Sequence, residues 1–133
     1  MDIKNKYLLS IIIAFVLLSC NLSDYSENLG EGYNYIDEGG DIKEIFNNKP
    51  KFGRVPATVI EFKYDNNFIV AKQKPRLPQD PLYEKKYKYP YGDDQFYYWL
   101  VLKKDGIVLG PFNLEDYNSA KSRHNVSDKL KLK

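Results

Sequence analysis

Sulfur and imidazole are scarce in this 133-residue chain, which has one cysteine, one histidine and one methionine. A lone cysteine forbids a disulfide within the chain, so any core must hold by packing. His124 is the only imidazole, and a Ser-His-Asp or Cys-His mechanism would have to use it. There is no His/Cys cluster to ligate zinc and no glycine-rich phosphate loop. Asp65-Asn66-Asn67 and Gly92-Asp93-Asp94 offer oxygens but lack the alternating spacing and distal glutamate of a calcium loop. Neither a metal nor a cofactor is therefore expected. Charge of one sign is missing too: 20 Lys+Arg stand against 18 Asp+Glu. Nucleic-acid binding rests on a basic face or stripe, so no nucleic-acid partner is expected.

Long apolar runs are absent except at the start. Lys4 and Lys6 precede a stretch from Tyr7 to Leu18 that is almost wholly apolar. That is shorter than the roughly 20 residues needed to span a bilayer, and it has the layout of a secretory signal. Leu17-Leu18-Ser19-Cys20 closes it and resembles the lipobox of a bacterial lipoprotein signal peptide. The resemblance implies cleavage after residue 19 and lipid on the Cys20 sulfur, with the membrane as a partner through that lipid. Two or more acyl chains give stable anchoring without a spanning helix. The cut removes two lysines and one aspartate and leaves a net charge near +1 on 114 residues, the size of a single domain. Residues 20–32, polar and glycine-bearing, read as lipidated cysteine and flexible tether; residues 33–133 read as one domain.

Aromatics are plentiful, with twelve tyrosines, seven phenylalanines and Trp99. Tyr33-Asn34-Tyr35-Ile36 before Gly39-Gly40 is a hairpin signal, and Ile42, Ile45 and Phe46 then favour a returning strand. From Thr58 to Tyr64 the chain alternates, with Ile60, Phe62 and Tyr64 on one side and Val59, Glu61 and Lys63 on the other. Asp65-Asn66-Asn67 supplies a turn into Phe68–Gln73. Phe96 to Leu102 is apolar on both faces, as suits a central strand covered on both sides. Lys104-Asp105-Gly106 turns it into Ile107-Val108-Leu109, and Gly110-Pro111 should break that strand. Asn113 is a helix cap, with Glu115 and Asp116 in the first turn and Phe112 and Tyr117 placed as a hydrophobic staple. The helix should run to about Arg123 and pack with Leu114, Tyr117 and Ala120, leaving His124 at its C-terminal end. The tail from Asn125 to Lys133 reads as a short edge strand or a frayed end. The expected fold class is α+β, an antiparallel β-meander sheet of about five to six strands with one C-terminal helix.

Residues 75–94 stand apart. They hold Pro75, Pro78, Pro81 and Pro90, the rings of Tyr83, Tyr87, Tyr89 and Tyr91, and the bases Arg76, Lys85, Lys86 and Lys88. Long loops in compact domains carry function or are disordered. Tyr87, Tyr89 and Tyr91 alternate with Lys86, Lys88 and Pro90, which puts the rings on one face of an extended segment. Two readings of that face stand. With Arg76, Lys86 and Lys88 the rings grip a protein or stack on sugars; alternatively the rings cover the sheet and leave the lysines in water.

Ile69-Val70-Ala71-Lys72-Gln73, then Tyr98-Trp99-Leu100-Val101, then Gly110-Pro111-Phe112 leading to Glu115 and Tyr117 resemble a family of small uncharacterised bacterial lipoproteins carrying a single domain of unknown function. The resemblance spans roughly residues 55–120 and includes the position of the lipobox. It implies an architecture and an address, and no catalytic residue. The expected role is a non-enzymatic, lipid-anchored binding or inhibitory module at the cell envelope, on the periplasmic or extracellular face, for an envelope protein or glycan. Alternatives are a structural accessory subunit of an envelope assembly and a hydrolase working through two facing carboxylates. The lipid reading makes one firm demand: Cys20→Ala should move the protein from the detergent-rich to the aqueous phase in phase partitioning. A variant still membrane-bound and normally processed would exclude Cys20 as the anchor.

Overall fold

Trp99 and its neighbours on one strand are buried on both sides, and the rest of the molecule is layered around them. The structure is a computed structural model that describes residues 24–133; the signal segment and Cys20 lie outside the described residues. Among the described residues seven strands are followed by one helix: β1 Tyr25–Gly30, β2 Tyr33–Asp37, β3 Lys43–Asn47, β4 Val59–Tyr64, β5 Phe68–Gln73, β6 Tyr97–Leu102, β7 Ile107–Phe112 and α1 Leu114–Arg123. All pairings are antiparallel, in a three-stranded sheet ordered β1-β2-β3 and a four-stranded sheet ordered β4-β5-β6-β7. The fold is α+β with a C-terminal helix, and the expected single meander is divided between two sheets.

Period-2 alternation explains the layering. Ile69 and Ala71 of β5 and Trp99 and Val101 of β6 meet Leu29, Tyr33, Tyr35 and Ile45 of the smaller sheet. Val70 and Leu100, one residue out of phase, meet Tyr117 and Ala120 of α1 together with Leu130 of the tail. The order of layers is thus small sheet, large sheet, helix.

Several local expectations are corrected. Residues 20–32 were expected to be a tether, but Tyr25–Gly30 form β1. The glycines that gave this segment a linker composition are its turn: Gly30, Glu31 and Gly32 all have positive φ (88°, 53° and 83°), and Leu29 is buried in the core. The β2–β3 connection is Glu38–Ile42 rather than two residues, closed by the Glu38 amide donating to the Ile42 carbonyl at 2.9 Å. In β4 a register shift between Val59 and Glu61 leaves Ile60 53% exposed and turns Val59 inward. One extra residue reverses the side assignment of everything before it. β7 runs through Gly110-Pro111 to Phe112, because it is a sheet edge, where proline removes no ladder bond.

α1 starts where expected: Asn113 Oδ1 accepts the Asp116 amide at 2.8 Å. Tyr117 and Ala120 face the sheet, whereas Leu114 is 53% exposed. The helix ends on Asn125 at φ 55°, with the Val126 amide donating to the Lys121 carbonyl and that of Asn125 to Ser122. This pair of bonds satisfies carbonyls the last turn leaves open. The tail is neither strand nor frayed: Leu130 is buried, and the Lys133 amide donates to the Glu61 carboxylate.

Gln73 is the polar centre of the large sheet. Its Oε1 accepts the Trp99 indole N–H at 2.8 Å, and its Nε2 donates to the Ala57 carbonyl at 3.2 Å and the Tyr89 hydroxyl at 2.9 Å. Buried polar groups are stable when so satisfied and expensive when orphaned. Gln73→Leu should strand the buried indole N–H, while the Ala57 carbonyl keeps the Arg76 amide, and cost about 1–3 kcal/mol in denaturant unfolding. A midpoint equal to that of the parent would remove Gln73 from this role.

Candidate functional site

The 75–94 loop crosses the domain as a strap whose Tyr83, Tyr87 and Tyr89 rings point in and whose lysines point out. Tyr83 donates its hydroxyl to Glu44 Oε2 on β3 and accepts the Ala57 amide at 3.3 Å. Tyr87 packs edge-on against Trp99, with ring centroids 5.7 Å apart. Tyr89 is fixed by Gln73 and lies 5.1 Å from the Tyr97 ring. Gln79 ties the loop to itself, accepting the Tyr87 amide at 3.1 Å and donating to the Lys85 carbonyl at 2.7 Å. Farther along, the Tyr97 hydroxyl donates to the Gly92 carbonyl and accepts the Tyr91 amide.

The residues expected to act together are dispersed. Tyr87 and Tyr89 belong to the packing of the main core, so for these two rings the covering arrangement is the one found. Tyr91 is 49% exposed and stacks 6.5 Å from Tyr97. Lys85, Lys86 and Lys88 are exposed. Arg76 turns away to the β2–β3 connection, where its Nε lies 3.1 Å from Asp41 Oδ1 without hydrogen-bond alignment.

Beside the strap is a cleft of about 250 Å³, lined by Phe46, Lys51, Phe52, Arg54, Lys85 and Tyr87 among others. Arg54 is held over the Tyr83 ring at 4.5 Å and pairs with Glu44 at 3.2 Å. Lys85 Nζ sits 5.6 Å from the centre of the Tyr87 ring. Opposite the strap, the 48–55 segment is anchored by bridge bonds between Ile45 and Val55 and by Phe52 lying on Gly106. A Cβ at Gly106 would come within 2.4 Å of that ring, so only glycine lets the two segments approach. The volume is below the roughly 300–1,000 Å³ of small-molecule sites. It suits one side chain or one sugar ring, framed by Lys51, Arg54 and Lys85 against Glu84.

Lys51, Arg54, Phe52 and Glu44 do not stand out in the sequence. Lys51, Phe52 and Arg54 belong to the run Lys49-Pro50-Lys51-Phe52-Gly53-Arg54, which mixes bases, aromatic and turn residues as residues 75–94 do; Glu44 carries no such signal. Only the fold brings the two segments together.

This geometry defines a small two-sheet α+β domain with a pinned, cation-bearing strap beside a shallow cleft. The family described as "Protein of unknown function (DUF3997)" matches residues 30–133, and the chain belongs to that family. No curated protein matches the chain, and no solved structure does.

Burial governs the strap tyrosines. It pushes the Tyr87 hydroxyl up to about 12; Arg54 opposes the shift, and Tyr89 and Glu44 add to it. Tyr83 is raised further, by burial and then by its hydrogen bond to Glu44. A folded-state value above the unfolded one means the neutral ring is favoured by folding. That stability is whole below the ordinary tyrosine value of 10.0 and is lost as pH rises through about 12. Denaturant midpoints should therefore fall between about pH 10 and 12, and Tyr87→Phe should flatten part of that fall. An unchanged profile in the variant would show that Tyr87 titrates as it does in the unfolded chain.

Proposed function

We propose that the protein is a lipid-anchored, non-enzymatic binding or inhibitory module of the bacterial cell envelope, attached through Cys20, that takes an acidic group of an envelope protein or glycan. The observation carrying this reading is the pinned strap. A 20-residue segment without regular secondary structure is fixed by Tyr83, Tyr87 and Tyr89, and it holds Lys85, Lys86 and Lys88 in solvent, with Lys85 lining the cleft beside Lys51 and Arg54. Loops positioned by a rigid scaffold are where binding residues concentrate, and prior rigidity lowers the ordering cost of association. Lys85, Lys86 and Lys88 cluster within four residues, with Glu84 beside them and Asp93 and Asp94 at the far end of the strap; that local cluster favours a carboxylate or phosphate, and the cleft volume favours one such group on a larger partner over a free small substrate.

Because Tyr87 and Tyr89 hold the strap in place, replacing them tests the fold as much as the partner. Charge reversal of the outward side chains separates the two. Lys85→Glu, Lys86→Glu and Lys88→Glu combined should lower crosslinking to the partner in native membranes by on the order of tenfold or more. Thermal stability should stay unchanged. Undiminished crosslinking by a folded variant would remove the strap from the interface.

A further inference from the structure

A second surface lies on the other edge of the small sheet. Tyr25, Tyr35, Phe62 and Tyr64 form a continuous row of rings with successive centroids 6.2, 4.5 and 6.4 Å apart, closing the open side of the sandwich between β1 and β4. Its ends reach solvent: Tyr25 is 56% and Tyr64 39% exposed. Lys63 and Lys129 line a groove beside Phe62 and Tyr64, with Glu27 and Asp65 also on its walls. Asp65 Oδ1 already accepts the Asn67 and Phe68 amides.

Resting on the anchor at Cys20, we infer that this aromatic edge lies against the bilayer that carries the lipid. Only four residues lie between Cys20 and Tyr25, so five steps of chain give an extended reach of at most about 18 Å. An anchored sulfur therefore keeps the β1 edge within a short distance of the headgroups. Tyrosine, apolar in the ring and polar at its tip, is the residue type enriched at that depth. Lys63 and Lys129 can reach headgroup phosphates with their stems along the rings. The sheet order β1-β2-β3 sets the cleft, which β3 lines with Phe46 and Asn47, on the opposite edge. Seating β1 on the membrane turns the cleft toward the aqueous side.

The test uses the full-length lipidated protein in vesicles of phosphatidylethanolamine and phosphatidylglycerol with brominated acyl chains. Tyr25→Trp, Tyr64→Trp and Tyr91→Trp are prepared singly, against the buried Trp99 background. Bromine should remove most of the added emission at positions 25 and 64 and none at position 91. Wild-type Tyr25 and Tyr64 should also be protected from iodination in vesicles compared with detergent, which covers a variant that fails to fold. Equal quenching at all three positions, or none, overturns the inference. So does protection that depends on protein concentration without quenching, which would mean a second copy covers the edge. Mass analysis of the Cys20 peptide keeps the two claims apart: a lipid-free peptide removes the anchor and the orientation together. A lipidated peptide with unquenched rings removes only the orientation.

Discussion

The hydrogen bond from the Trp99 indole to Gln73 Oε1, 2.8 Å long and fully buried, is the constraint on which the other parts depend. Trp99 is the largest side chain of the core, and its one polar atom must be met inside the protein. Gln73 is the strand neighbour that meets it. The amide end of Gln73 then has two donors left to place. One reaches the Ala57 carbonyl and the other the Tyr89 hydroxyl. A single buried amide thus joins the central strand, the segment entering β4 and the strap. None of the three can shift without leaving a polar group unpaired in a low-dielectric interior.

A second clamp works at the opposite end of the sandwich. Lys103 follows β6 and is almost fully buried, with its ammonium donating to the Asp65 carbonyl at 2.6 Å. A Cβ on Gly30 would meet that ammonium at 2.8 Å, so the β1–β2 turn closes directly over it. Burial lowers the Lys103 pKa, and the charges of Asp65 and Glu31 work against the shift. Polar groups therefore pin both ends of the large sheet, and packing of buried side chains joins it to the small one.

The elements governed by local chemistry were legible in the sequence. Asn113 announces α1 through its cap, Asp65 announces its turn through its side chain, and the apolar run from Phe96 announces the doubly covered strand Tyr97–Leu102, with Phe96 itself left outside it and exposed. The elements that misled are those where composition and pairing disagree. Gly30 and Gly32 look like linker until Leu29 is seen in the core. Ile60 looks inward until the bulge removes it. Gly110-Pro111 looks like a break until β7 proves to be an edge. The site was half legible. Residues 75–94 stood out by composition, but their inward and outward faces were fixed by contacts with Glu44, Trp99 and Gln73. The other wall of the cleft comes from residues more than twenty positions earlier, a pairing no periodicity records.

Phe52 resting on Gly106 divides labour between anchor points and tips. One wall of the cleft stands on the β6–β7 turn, the other on Gln73 and Glu44, and all three supports belong to the two sheets. Lys51 and Lys85 project from these walls, and Lys86 and Lys88 stand exposed farther along the strap. Their identity is free to drift while the frame is held fixed. Tip residues can be exchanged with no refolding of the scaffold beneath. Diversity among relatives should gather at those tips, and constancy at the glycine, the glutamine and the tryptophan that hold the walls apart.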